Sequence, residues 1–179
     1  LTLISQDLLI LSAAESGVLR KNTCDLVPIA RNALALVDEA ARTKGLNLVL
    51  EAPDSLFAEA NGAQIGQVFV NLIENAVKYT AEGTVTMRLR SEGPNAIIVV
   101  EDTGIGIPSE HLPRIFERFY RVDKARTRPG GTGLGLSIVR HIIESHGGTV
   151  SVESALNRGS VFSLSLPLGE AGPPPGPSA

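Results

Sequence analysis

Apolar and polar positions recur along this chain with two different periods, and the switches between them mark its elements. Residues 1–16, LTLISQDLLILSAAES, put Leu1, Ile4, Leu8 and Leu11 at helical spacing, with Gly17 as a stop. That stripe has few partners of its own, so it reads as the end of a longer helix. A second helix is expected from Asp25, as N-cap, through IARNALALVDEAARTK to Gly45. LNLVLEA (46–52) alternates and reads as a strand. A third helix over 62–79 gathers Ile65, Val68, Phe69, Leu72, Ile73 and Ala76 on one side. Strands follow at 84–91 and 95–103, joined by a Gly-Pro turn. A short helix around 109–116 leads into a basic, irregular stretch, 117–131. A Gly-rich segment then opens a helix through Ser145, and strands at 149–154 and 160–167 flank an Asn-Arg-Gly turn. The ending, GPPPGPSA, reads as a disordered Pro-rich tail. This order predicts a mixed sheet with helices packed against it.

Composition narrows the picture. The 179 residues fit one domain, and 43% apolar with 20% charged residues is a globular balance. A net charge of −3 gives no support to nucleic-acid or anionic-membrane binding. The single cysteine, Cys24, excludes an internal disulfide, fits a reducing compartment and reads as inert packing. The apolar runs, such as AIIVV at 96–100, are too short to cross a bilayer, and the first residues lack a signal-peptide pattern. Because the chain opens on Leu1 rather than Met, it is expected to be a fragment.

Four segments look too costly to be only structural. In NLIENAVKYT (71–80), Asn71, Asn75 and Lys78 share one face of a helix whose other face is apolar. Asn is a mediocre mid-helix residue, so two of them one turn apart suggest carbonyls that coordinate something. DTGIGIP (102–108) follows an apolar strand with a carboxylate and two glycines that permit close approach to the backbone. ERFYRVDKARTRPGG (117–131) is rich in arginine, in the manner of a flap. PGGTGLGLS (129–137) sets glycines before a helix N-terminus, whose free N–H groups and dipole suit phosphate. The GxxxxGK[ST] and GxGxxG patterns are both absent. The four together imply a nucleoside triphosphate with a divalent cation.

The ordered set NLIENAVKYT, DTGIGIP, FERFYR, GGTGLGLSI and HGGTVSVES…GSVFSLSLP resembles the ATP-binding catalytic domain of two-component sensor histidine kinases, over about residues 1–167. The resemblance implies an α+β fold of the Bergerat (GHKL) type: a two-layer sandwich, mixed sheet against three main helices. Residues 1–17 would end the second helix of a dimerisation hairpin, 18–168 would form the catalytic domain, and 169–179 the tail. It also implies ATP and Mg²⁺ as ligands. Asn75 would hold Mg²⁺ with Asn71 beside it, and Lys78 would pair with phosphate. Tyr79 would lie against adenine, and Asp102 would accept from its amino group, selecting against guanine. Gly104, Gly106 and Ile107 would shape the turn under the base. Phe116 and Phe119 would anchor a lid that includes Tyr120, and Arg121 with Arg126 or Arg128 would reach the phosphates. Gly131, Thr132, Gly133 and Gly135 would form the hinge and phosphate cradle, with Leu134 and Leu136 packing behind. Ser160 would bridge to the adenine-binding acid through water. Asn71, Asn75, Lys78 and Arg121 are thus the expected catalytic set.

Asn61 and Gln64 depart from the Asp and Arg more usual upstream of the metal helix, with little expected effect on ATP. The larger departure is the phosphoacceptor. None of His111, His141 and His146 has the H-E/D-x-x-x-P context, so the nucleophile is expected outside the chain. In the family the phosphoryl group passes to a response-regulator receiver domain. The resemblance implies that the full-length protein dimerises through the hairpin and works in the cytoplasm, free or as the cytoplasmic part of a membrane-bound sensor. Two alternatives stand beside this reading: a GHKL-type ATPase, and a non-catalytic ATP-binding module. The ATPase relatives carry a Glu base where this chain has Asn71, which argues against hydrolysis.

Overall fold

The computed structural model describes residues 20–122 and 132–169, and the expectations for residues 1–17, Arg126, Arg128, Gly131 and the tail beyond 169 lie outside them. The described residues begin with a short strand, β1 (Asn22–Asp25), and helix α1 (Leu26–Thr43). Asp25 caps α1 as the sequence implied: its side chain accepts from Val27 N–H and also from Leu56 N–H, both at 3.0 Å. The helix stops at Gly45, whose φ of +69° lets Leu46 N–H return to Ala41 O. Next come β2 (Asn47–Glu51), β3 (Phe57–Ala60) and α2 (Gly62–Tyr79). The Asn61 side chain caps α2 by accepting from Gln64 N–H, so the upstream Asn and Gln serve the helix start. The chain closes with β4 (Thr84–Glu92), β5 (Asn95–Asp102), α3 (Gly135–Ser145), β6 (Thr149–Ser154) and β7 (Ser160–Pro167).

Five strands form a sheet in the order β2-β4-β5-β7-β6, with β2 parallel to β4 and every other pair antiparallel. The strand residues alternate, so Val85, Met87, Leu89, Ile98, Val100, Phe162 and Leu164 face inward. They meet the apolar stripes of α1, α2 and α3, including Ala30, Ile65, Phe69, Ile73, Ile138 and Ile142, in one core. The two layers are those of the expected α+β sandwich. Strands β1 and β3 pair in a second small sheet, Cys24 opposite Ala58. Around 109–116, turns enclose one 3₁₀ turn, Leu112–Arg114, instead of a helix. Pro108 and Pro113 remove two N–H donors from so short a segment.

His146 ties the helix layer together from the end of α3. It is 2% exposed; its Nε2 accepts from Asn61 N–H at 3.0 Å, and its Nδ1 lies 2.7 Å from Ile142 O. Asn61 N–H supplies the only proton in its bond, so the neutral ring carries its own proton on Nδ1 and donates to Ile142 O. The other charge near it is the Lys21 ammonium, which donates to His146 O. Burial holds the imidazole below its ordinary 6.5. A depressed histidine contributes stability that is complete above the unfolded-state value and declines as pH falls through the folded-state one. Urea unfolding at pH 7.5 and 5.5 is therefore expected to show lower stability at the acid end. His146→Gln, which retains an acceptor for Asn61 and does not titrate, should flatten that slope. An unchanged slope in the variant would remove His146 as its source.

Candidate functional site

The C-terminal half of α2 meets the turn after β5 at Tyr79 and the start of α3 at Asn71, and each of the three contributes a segment singled out by sequence. On α2, Asn71, Asn75 and Lys78 follow at helical intervals along one side, while Leu72, Ile73, Ala76 and Val77 are buried on the other. The Asn71 carbonyl accepts from the Gln67 amide at 2.9 Å, and its own amide donates to Gly135 O at 3.3 Å. Asn71 thus joins α2 to the first residue of α3. Asn75 is half-buried and makes no side-chain hydrogen bond among the described residues, so its carbonyl stands available. The Lys78 ammonium lies 5.1 Å from the centre of the Tyr79 ring, and Tyr79 is 48% exposed.

Asp102 ends β5 and is 7% exposed, an unusual place for a carboxylate. It accepts from Gly104 N–H at 2.8 Å, and Ser160, its partner across the β5–β7 ladder, has its hydroxyl 3.0 Å from Ser154 Oγ. Burial nevertheless dominates and raises the carboxyl above its ordinary 3.8. A carboxylate offers about four acceptor positions, so the bond from Gly104 leaves acceptor capacity over. Thr80 Oγ1, fully buried, has no hydrogen-bond partner among the described residues. A Cβ on Gly104 would stand 2.8 Å from Asp102 Oδ1, 2.9 Å from Thr80 Oγ1 and 2.5 Å from Tyr79 O, so only glycine lets these groups share one corner.

The turn beyond is held on both sides. Ile105 N–H donates to Tyr79 O, Ile107 N–H to Ser154 Oγ, and Asn157 N–H to Ile105 O. Gly106 has φ +68°, and a Cβ there would come within 1.9 Å of Ala155 O. The β6–β7 connection is therefore a buttress for this turn.

Phe116 packs edge-on against Phe162, with ring centres 6.4 Å apart, and fastens the segment after β5 to the core. Phe119 behaves differently: its ring is 59% exposed, and it contributes through its backbone. Its N–H donates to Gly133 O at 2.9 Å, and a Cβ on Gly133 would meet Phe119 C at 2.8 Å. The chain is clasped there, immediately outside the undescribed residues 123–131. Tyr120 shares a 2.6 Å hydrogen bond with His111 Nδ1 and lies under the Arg114 guanidinium, whereas Arg121 is exposed. Leu134 is fully buried, and Leu136 packs against the core beside it. Thr132 Oγ1 accepts from Leu134 N–H, and α3 begins without a side-chain cap, leaving its leading amides unbonded within the helix.

Sequence reasoning found the glycines, Asp102 and the α2 face. It missed Gln67, whose partner Asn71 lies one turn on along the same helix, and Ser154 and His111, whose partners lie on other segments. Among the described residues no cluster of three His, Cys, Asp or Glu could hold a metal, and no helix is long and apolar enough to cross a membrane.

Residues 60–170 match the family model described as histidine kinase-, DNA gyrase B-, and HSP90-like ATPase. The chain belongs to this family. Its nearer relatives within the family are sensor histidine kinases. The sensor histidine kinase RppB of Synechocystis is 49% identical over 115 residues, which cover 63% of this chain and 25% of RppB. Full-length ShkA, solved in complex with AMPPNP, superposes with a TM-score of 0.81 at 27% identity, covering 94% of this chain and 36% of that one. The histidine kinase ThkA, solved in complex with the response regulator protein TrrA, gives a TM-score of 0.75 at 27% identity over 93% of this chain and 47% of ThkA's. The chain spans about a quarter of the length of the curated relatives it matches, 25% of RppB and 28% of the Bacillus subtilis kinase WalK. Its architecture, a five-stranded mixed sheet under three helices, is that of the histidine kinase catalytic domains and their ATP-binding relatives.

Proposed function

We propose that this domain is the catalytic unit of a sensor histidine kinase, which binds Mg-ATP between α2 and α3 and transfers the γ-phosphoryl group to a histidine on a dimerisation domain outside this chain. The observation that carries the reading is the corner formed by Asp102, Gly104 and Thr80. A buried carboxylate with an acceptor position to spare and an orphaned buried hydroxyl stand opposite a helix face of amides and lysine. That donor and acceptor set fits the edge of adenine at one end and a phosphate chain with its cation at the other.

Asp102 accepts from the adenine amino group, while Tyr79 covers the base and Ile107 packs beneath it. Asn75 is the residue to hold Mg²⁺, because its half-buried carbonyl is uncommitted and a hard cation prefers oxygen. Asn71 stands beside it, since a carbonyl already accepting from Gln67 still has a second lone pair. When bound, the ion neutralises charge on the phosphate oxygens. Lys78 and Arg121 add positive charge around them, and the amides at Gly133 and Gly135 donate to the phosphates. Phosphoryl transfer asks little more of the protein than such positioning and charge neutralisation. Hydrolysis is not supported: Asn71 cannot take a proton from water, and Glu74 is exposed on another side of α2. By the same family logic the phosphoryl group moves on to a response-regulator aspartate, the full-length protein is a homodimer, and the domain works in the cytoplasm.

The direct test mixes the 179-residue chain with γ-labelled ATP, Mg²⁺ and a separately made hairpin bearing its phosphoacceptor histidine. Acid-labile label on the hairpin alone is the expected result. Rapid release of phosphate would establish the ATPase reading instead, and label on this chain would place the acceptor within it.

A further inference from the structure

An α-helix leaves its last four carbonyls without partners of its own, and at the end of α2 these belong to Ala76, Val77, Lys78 and Tyr79. All four are engaged. Thr80 N–H donates to Ala76 O at 3.1 Å. The Lys44 ammonium donates to Val77 O at 2.6 Å, Lys78 O at 3.0 Å and, just beyond the helix, Thr80 O at 3.2 Å. Tyr79 O, between them, accepts from Ile105 N–H at 3.2 Å. An ammonium has three donors, and Lys44 uses every one of them on this single turn. Its charge also lies at the negative end of the α2 dipole.

We propose that Lys44 is a positioning residue for the nucleotide site, an inference that rests on the site proposed above. Lys44 is the C-cap residue of α1 and meets the site only through backbone carbonyls at the end of α2. Yet the turn it holds carries Lys78 and Tyr79, the expected phosphate and adenine contacts. Through Tyr79 O it also sets the turn that carries Asp102 and Gly104, because that carbonyl accepts from Ile105. The two backbones are packed closely there: a Cβ on Gly104 would stand only 2.5 Å from Tyr79 O. A small swing of the last turn of α2 therefore displaces the Asp102 corner from Tyr79. Without the ammonium, three carbonyls turn toward water and the final turn frays. Lys44 itself is exposed, so its loss leaves the apolar core untouched.

The test titrates the 179-residue chain with a fluorescent ATP analogue and Mg²⁺, with thermal unfolding measured in parallel. Lys44→Met is expected to raise Kd by about three- to tenfold, the part of a charge-assisted hydrogen-bond set that registers as lost alignment. Lys44→Arg keeps charge and donors and should recover most of the affinity. Asp25→Ala removes the N-cap of α1 at a distance from the site, and should lower Tm while leaving Kd unchanged. Hydrogen exchange at the Ile105 amide should quicken in Lys44→Met and not in Asp25→Ala. Unchanged affinity in Lys44→Met, or equal losses in Lys44→Met and Asp25→Ala, would overturn the proposal. Asp102→Asn separates the two levels of argument. If it binds like the wild type, the site itself is misplaced; if it fails to bind while Lys44→Met binds normally, only the role of Lys44 falls.

Discussion

Asp102→Asn is expected to weaken ATP binding by about two orders of magnitude, to erase the preference for adenine over guanine, and to leave the protein folded. The carboxylate already accepts from Gly104 N–H, so it meets the base with its remaining acceptor capacity. An asparagine retains one acceptor oxygen, which Gly104 N–H would occupy, and turns an NH₂ group toward the base. Donor then faces donor at the adenine amino group, and a lost charge-assisted bond with an unpaired buried donor costs about 2–3 kcal/mol. Guanine presents a carbonyl at that edge, which the new NH₂ group can satisfy, so the ratio of ATP to GTP affinity should fall further than either affinity alone. Folding should not suffer. Burial raises the Asp102 carboxyl above its ordinary 3.8, so its ionised form is disfavoured by the fold, and a neutral amide removes that cost. Calorimetric titration with ATP and GTP, with Tm recorded for each protein, checks all three outcomes. The raised carboxyl has a second consequence in the wild type. Protonation of Asp102 converts an acceptor into a donor, so ATP affinity should begin to fall on acidification at a pH above that of an ordinary aspartate.

Much of this architecture was legible because it depends on local rules. The α2 helix runs over the residues its apolar period marked, 62–79, and Asp25 and Gly45 begin and end α1 as cap chemistry requires. Strands β6 and β7 match the sequence reading to the residue, and β4 and β5 each differ by one position. The elements that escaped, β1 and β3, are four residues each. A strand that short shows barely two alternations, and what makes these two strands is their pairing across some 35 residues of sequence, Asn22 with Ala60. The expected 109–116 helix failed for the opposite reason, a suitable composition interrupted by prolines.

The candidate site divides along the same line. Gly104 and Gly106 announced themselves because glycine in that density is costly elsewhere. Asp102 did so because a carboxylate closes an apolar strand. Lys44 gave no such sign: a lysine before a glycine at a helix end is ordinary, and its three carbonyl partners lie more than thirty positions away. Ser154 is equally plain in sequence, and acts only through neighbours that the fold supplies. Residues whose role is written in their own chemistry were readable. Those whose role is an address in the fold were not.

Asn75→Ala is the sharpest test of the metal assignment because stability and function should move in opposite directions. Asn is a poorer helix former than Ala by several tenths of a kcal/mol, and Asn75 makes no side-chain hydrogen bond among the described residues. Its replacement should leave Tm unchanged or slightly raised. The carbonyl oxygen, however, is the one uncommitted ligand on the α2 face, and a methyl group cannot take its place at a hard cation. ATP affinity measured with Mg²⁺ should then fall to the value measured in EDTA, so that the metal no longer contributes to binding. Transfer to an added hairpin should drop by about 10²–10³, the range seen when one preorganised charge-stabilising group is removed from a reaction centre. Asn71→Ala is the informative companion. It breaks the link from α2 to Gly135 as well as any metal contact, so it should lower Tm along with transfer. A loss of Mg²⁺ dependence in Asn71→Ala with retention in Asn75→Ala would exchange their roles. Retention in both would move the ion off α2 altogether, and with it the explanation for two asparagines one turn apart on a helix that has no structural use for the second.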